Sequence, residues 1–142
     1  MNHLELFAGI GGFRRAMELI QKDGLMNFTN VGYSEINKRA ATTYCSNYDT
    51  SNELEIGDIV KFTSEPANIK NLPHIDILSG GFPCQAFSMM GNLMGFEEYR
   101  GQMFFRIMDI VNVKKPDYIL LENVKNLLVH NGGETYARII DS

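Results

Sequence analysis

Residues 3 to 13 read His3-Leu4-Glu5-Leu6-Phe7-Ala8-Gly9-Ile10-Gly11-Gly12-Phe13. A short apolar strand, His3 to Phe7, runs into three glycines. A helix then carries Phe13, Ala16, Met17 and Ile20 on one face. Glycines after a first strand let the backbone pass close to a ligand, and the amides of the following helix face that ligand. The alternative is a tight strand-to-helix turn that binds nothing.

Strand-like and helix-like segments alternate outward from this stretch, which predicts parallel βαβ units. Thr29 to Ser34 reads as a second strand. A helix from about Asn37 has Ala40, Ala41, Tyr44, Cys45 and Tyr48 inward. Gly57-Asp58-Ile59 reads as the end of a short third strand. Pro73 starts the approach to a fourth, Ile75 to Ser79, which runs into Gly80-Gly81-Phe82-Pro83-Cys84. A loop with Gly91 and Gly95 leads to a helix carrying Phe104, Ile107, Met108 and Val111. Pro116 precedes a fifth strand, Tyr118 to Leu121, ended by Glu122-Asn123-Val124. Leu127 and Leu128 open an amphipathic stretch that Gly132-Gly133 interrupts before Tyr136 to Ile140.

The size, 142 residues, fits one domain. The 44% apolar content is ordinary for a globular chain. There is no membrane-length apolar run and no basic flank with an apolar stretch at the N-terminus. A cytoplasmic protein without a membrane partner is expected. Two cysteines, Cys45 and Cys84, are too few for a disulfide framework or a zinc site. His3, His74 and His130 show no ligand spacing, so no metal is expected. The net charge of −4 is unlike the basic surface that grips phosphates. If nucleic acid is the target, much of the basic surface comes from elsewhere.

Several side chains stand at the carboxyl ends of these strands, where open α/β sheets hold ligands. Glu35, 26 positions after Gly9, is placed to take a ribose hydroxyl. A dinucleotide fingerprint needs a third glycine at position 14, which is Arg14, so a nicotinamide cofactor is disfavoured. Asp58 by itself reads as an Asx turn. Cys45 lies in a helical apolar stripe and reads as core. Cys84 follows a buried strand, and Pro83 fixes its local backbone. It is a candidate nucleophile, with a structural loop cysteine as the alternative. Glu122 ends the neighbouring strand and faces the same crevice, as an acid or as a helix N-cap.

Leu6-Phe7-Ala8-Gly9-Ile10-Gly11-Gly12-Phe13 resembles the first motif of cytosine-5 DNA methyltransferases of bacterial or phage type. Gly81-Phe82-Pro83-Cys84-Gln85-Ala86-Phe87-Ser88 resembles their catalytic motif, and Glu122-Asn123-Val124 their catalytic-acid motif. The resemblance spans essentially the whole chain. It implies a Rossmann-like S-adenosylmethionine-dependent methyltransferase fold of the α/β class with a mostly parallel sheet, truncated after about the fifth strand. Cys84 would add to carbon 6 of cytosine and Glu122 would hold and protonate nitrogen 3. S-adenosylmethionine would lie against Phe7, Ala8, Gly9, Gly11 and Gly12, with its ribose on Glu35. Its adenine would sit between Ile36 and Ile59 with the amine on Asp58, and its methionine end would be bordered by Pro83 and Met103. Gln85 to Arg100 would form a loop closing over a base flipped out of DNA, hinged near Gly91 and Gly95. Gln85, Ser88 and Arg100 would contact the DNA.

Enzymes of this family continue further, with a Gln-Arg-Arg motif, a target-recognition domain and a returning C-terminal segment. None is found in residues 1–142. The resemblance therefore implies the N-terminal part of a catalytic domain, completed by a missing segment or a complementary C-terminal subunit and nearly inactive alone. The apolar edge left at strand five invites pairing, self-association included. Two other readings stand beside this one: a cofactor- or partner-binding remnant without activity, and a tRNA-cytosine methyltransferase.

Overall fold

The computed structural model describes residues 1–83 and 94–142, and of 94–102, 130, 131 and 135 the backbone alone. Five strands form one sheet: β1 (Asn2–Leu6), β2 (Thr29–Ser34), β3 (Leu54–Glu55), β4 (Ile77–Gly81) and β5 (Tyr118–Glu122). The order is β3-β2-β1-β4-β5 and every pairing is parallel. The order reverses between β1 and β4, and this switch point opens a crevice at the carboxyl ends of those two strands.

A parallel sheet needs cover on both faces because its connections are helices. Successive side chains of a strand point to opposite faces. Leu4, Leu6 and Leu78 therefore meet one layer, made of α3 (Ile59–Thr63), α4 (Pro66–Asn71) and α5 (Met94–Lys114). Ile59, Ile69, Leu72, Ile75, Phe104, Ile107 and Ile110 fill it. Each fully buried leucine or isoleucine stabilises the fold by roughly 2 kcal/mol. On the opposite face His3, Glu5, Tyr33 and Ser79 are all at most 2% exposed. They lie under α1 (Gly12–Lys22) and α2 (Lys38–Asn47), whose buried residues are Arg14, Met17, Ala41 and Tyr44.

Local signals explain where these helices start. The Asn37 side chain accepts from the Arg39 and Ala40 amides, capping α2. Asp58 accepts from Val60 and Lys61 and caps α3. Pro66 opens α4 at a position that needs no amide hydrogen. Lys114, the last residue of α5, donates to the Leu72 carbonyl and ties the long helix to the end of α4.

Five sequence expectations change. Met94 to Arg100, with the expected hinge Gly95, are backbone of α5 and not loop. The third strand is Leu54–Glu55, and Asp58 starts a helix instead of ending a strand. Strand four begins two residues later than expected, at Ile77. On α1, Arg14 is buried and Ala16 exposed, because buried acceptors draw the guanidinium inward. Cys45 is exposed, not core, with its sulfur 3.1 Å from the Tyr33 hydroxyl. The expected apolar edge is present at β5, where Tyr118, Ile119 and Leu120 are 60%, 46% and 47% exposed.

Candidate active site

Backbone geometry marks the end of β1 first. Phe7 has φ 54, Gly9 φ 57 and Gly11 φ 92. A left-handed phenylalanine costs of order 1 kcal/mol or more, and such strain gathers at ligand-binding turns. The turn is held by Ala8 N–H to the Ser34 carbonyl (2.9 Å) and Gly11 N–H to the Ala8 carbonyl (2.8 Å). Space for a Cβ is open at Gly9 and Gly12, so a ligand can approach the backbone there.

Glu35 reaches this turn from the end of β2. Its carboxylate accepts from the Gly9 amide (2.8 Å) and the Asn37 amide (2.7 Å), binding the first turn to the second. Ile36 and Ile10 are 65% and 63% exposed beside it, an apolar surface at a polar edge. Asp58 stands at the α3 N-terminus with one oxygen, Oδ1, engaged in the cap. Ile59 and Met103 are buried at 4% and 7% exposure and belong to the main core. Phe7 packs partly against the same core.

Across the switch point, β4 and β5 bring the second half of the site together. Gly81 pairs in register with Glu122. A Cβ built at Gly81 would stand 3.2 Å from the Glu122 carboxylate, so a side chain there would push against that acid. Asn123 donates to the Phe82 carbonyl at 2.8 Å, fixing the exit of β5 to the exit of β4. Phe82 is buried against Phe104, while Pro83 and Glu122 are exposed. Glu122 and Asn123 also line one end of an apolar cleft of about 390 Å³ with Phe82, Phe104 and Leu121. Cys84, Gln85 and Ser88, and with them most of the expected closing loop, lie outside the described residues. Arg100 is on the α5 backbone and its side chain is likewise outside them. The structure thus gathers Phe7, the glycine turn, Glu35, Ile36 and Asp58 at one edge, and Pro83 and Glu122 at the adjoining strand ends.

Sequence reading missed a buried polar layer behind the turn. Glu5 accepts from the Phe13 amide at 3.2 Å and from the Tyr44 hydroxyl at 3.4 Å. Burial pushes its carboxyl up to about 7, against the opposing pull of the Phe13 and Arg14 amides and the Tyr44 hydroxyl. Arg14 is paired with Glu53 and also donates to the Asp49 carbonyl at 3.1 Å. His3 bridges Asn30 and Ser79 at 2.7 Å each, and burial holds its pKa below the usual value, favouring the neutral ring. One signal was available. In a parallel sheet covered on both faces, the polar members of an alternating strand are buried too and must find partners.

The geometry accords with what comparison with known proteins finds. The sequence model of the family described as C-5 cytosine-specific DNA methylase matches residues 1–142. The orphan methyltransferase M.Rho11sI of Bacillus phage rho11s is 40% identical over 139 residues, covering 98% of this chain and 26% of the phage protein. The type II methyltransferase M1.ScrFI of Lactococcus lactis subsp. cremoris is 42% identical over 139 residues, covering 98% of this chain and 32% of that protein. Among solved structures, a mutant of Spodoptera frugiperda DNMT2 superposes with a TM-score of 0.68 at 25% identity, covering 99% of this chain and 40% of that one. The chain therefore spans about a quarter to a third of the length of these curated relatives.

Proposed function

The chain belongs to the C-5 cytosine-specific DNA methylase family, and from that premise we propose that residues 1–142 are the N-terminal part of a catalytic domain that methylates carbon 5 of cytosine in DNA. One observation carries the reading. The parallel order puts the strained glycine turn of β1 beside β4, and the β4–β5 register puts the strand that leads to Cys84 beside Glu122.

S-adenosylmethionine supplies an electrophilic methyl group. The residues present fit it: open space over Gly9 and Gly12, exposed Ile36, and carboxylates at Glu35 and Asp58 along one edge. Phe7, Ala8, Gly9, Gly11 and Gly12 would form its floor. Glu35 would take the ribose and Asp58 the adenine amine through its oxygen not engaged in the cap. Ile36 and Ile59 would flank the adenine, and Pro83 and Met103 the methionine end.

Carbon 5 of cytosine is a poor nucleophile. The Cys84 thiolate would form a bond to carbon 6 while Glu122 shares a proton with nitrogen 3. The ring electrons displaced by that addition would collect at carbon 5, which would take the methyl group as its bond to the donor sulfur breaks and the sulfonium is left a neutral thioether. The carbon 5 proton then leaves to a base, and its electrons reform the ring double bond as the sulfur–carbon 6 bond breaks. Thiolate and ring are both restored, so one hard step becomes several easier ones. The base must leave the duplex to be reached, and Gln85, Ser88 and Arg100 are proposed to contact the DNA.

The test has two arms. Calorimetry of the chain with S-adenosylmethionine should show binding that Glu35→Ala weakens tenfold or more; no binding, or unchanged binding in the variant, counts against the pocket. Joined to the C-terminal remainder of M1.ScrFI, the chain should methylate cytosine in duplex DNA, and Cys84→Ala should abolish that transfer. A Cys84→Ala chimera of undiminished activity would end the nucleophile assignment.

A further inference from the structure

We propose that Tyr48 is a positioning residue for the cofactor turn, which rests on the reading of that turn given above. Tyr48 follows the last residue of α2 and is already extended, with φ −133 and ψ 147, while its N–H still bonds the Tyr44 carbonyl. Leaving the helix there swings the ring beneath the start of α1. Its hydroxyl donates to the Gly11 carbonyl at 2.8 Å. The same carbonyl receives the first hydrogen bond of α1, from Arg15 N–H at 2.9 Å. Both lone pairs of Gly11 are thereby engaged, one by the helix and one by a side chain 37 residues away.

The ring also abuts the Gly11 α-carbon. A methyl group there would come within 2.2 Å of the ring, so any other residue at position 11 displaces Tyr48 as well as straining φ 92. Neighbours hold the ring from behind. The Arg14 guanidinium lies 4.7 Å from its centroid, and the Tyr44 ring is 5.0 Å away. Three side chains thus clamp one turn from outside it: Glu35 at the Gly9 amide, Glu5 at the Phe13 amide and Tyr48 at the Gly11 carbonyl. Glu35 is already assigned to the ligand. Tyr48 bonds the turn and packs on Arg14 and Tyr44 behind it, so its effect on cofactor affinity passes through the orientation of the Gly11 peptide and the helix amides behind it.

The experiment compares the wild-type chain with Tyr48→Phe, Tyr48→Leu and Tyr33→Phe. Tyr33 shares the aromatic stack and bonds Cys45. Tyr48→Phe keeps the ring and loses one hydrogen bond, so S-adenosylmethionine affinity should fall roughly three- to tenfold with little change in melting temperature. Tyr48→Leu should lose more, and Tyr33→Phe should bind as wild type. Amide hydrogen exchange in the free chain should accelerate at Gly11 to Arg15 in Tyr48→Phe and not in Tyr33→Phe. Unchanged exchange in that segment overturns the proposal, as does wild-type affinity in Tyr48→Phe. If the wild-type chain does not bind the cofactor at all, the pocket assignment fails instead, and the exchange result alone decides whether Tyr48 holds the turn.

Discussion

On the side of the sheet covered by α3, α4 and α5, Leu4, Leu6 and Leu78 meet Ile69, Ile107 and Ile110. On the side covered by α1 and α2, β1, β2 and β4 turn His3, Glu5, Tyr33 and Ser79 inward, onto Arg14 and Tyr44. Both faces are dry. Hydrocarbon packing is non-directional and tolerates small shifts, whereas a buried carboxylate, guanidinium and phenol fix each other's positions. The polar face is also the one whose hydrogen bonds reach the glycine turn. The apolar face supplies the stability, and the polar face trades stability for a fixed geometry at the ligand edge.

The largest expected effect tests that division directly. Arg14→Met leaves the buried Glu53 carboxyl without its partner, and should cost about 3–5 kcal/mol in urea unfolding. Ile107→Ala on the other face should cost a similar amount, about 2–5 kcal/mol. The two losses differ in how they are recovered. Adding Glu53→Leu to Arg14→Met removes both charges and should restore most of the stability, since well-packed apolar replacements of buried pairs are often neutral. A double variant as unstable as the single would show the polar face to be a source of stability, and the comparison would break.

A second effect, somewhat smaller, belongs to Glu5. Its folded pKa of about 7 lies above the ordinary 4.5, so between those values the folded chain binds more protons than the unfolded one. Stability from this group is full below about pH 4.5 and is lost as pH rises through 7. Glu5→Gln removes the dependence. The variant should match wild type near pH 4.5 and exceed it by about 2–3 kcal/mol at pH 8, measured by urea unfolding across that range. A flat difference between the two proteins over that range would mean that Arg14 keeps Glu5 ionised throughout, and the polar face would then be an ion-pair network.

The two faces were also unequally legible. Strand, glycine turn and helix could be read in order because their signals are local, and Thr29 to Ser34 was read with the bounds the structure has. Glu35 was readable because a ribose acid has a known place after strand two, and it does stand against the turn. The helices α3 and α4 have five and six residues, too few for a periodic pattern. Their signals were the cap at Asp58 and the proline at 66. Cys45 departs from the core its helical stripe suggests because the sheet does not cover that stripe across its width. Its cover would come from β3, which has two residues, both exposed. The polar layer was legible only through the topology. Alternation of Leu4 and Leu6 with His3 and Glu5 looks the same whether the polar side meets water or a second helix layer, and only the topology decides.

Asp58 carries the smallest effect and makes the sharpest separation. It sits on the apolar side as the cap of α3, with Oδ1 accepting from Val60 and Lys61, and it is also the proposed acceptor for an adenine amine. Asp58→Ala removes both functions and should cost about 1 kcal/mol of stability together with cofactor affinity. Asn caps as well as Asp, so Asp58→Asn should hold wild-type stability. Its second terminal atom is a nitrogen that donates, and a donor facing an amine is left without a partner, so affinity should still fall. Equal losses of stability in both variants would mean that the carboxylate charge at the helix N-terminus outweighs the cap hydrogen bonds. Unchanged affinity in Asp58→Asn would remove Asp58 from the pocket and leave it a cap of α3 alone.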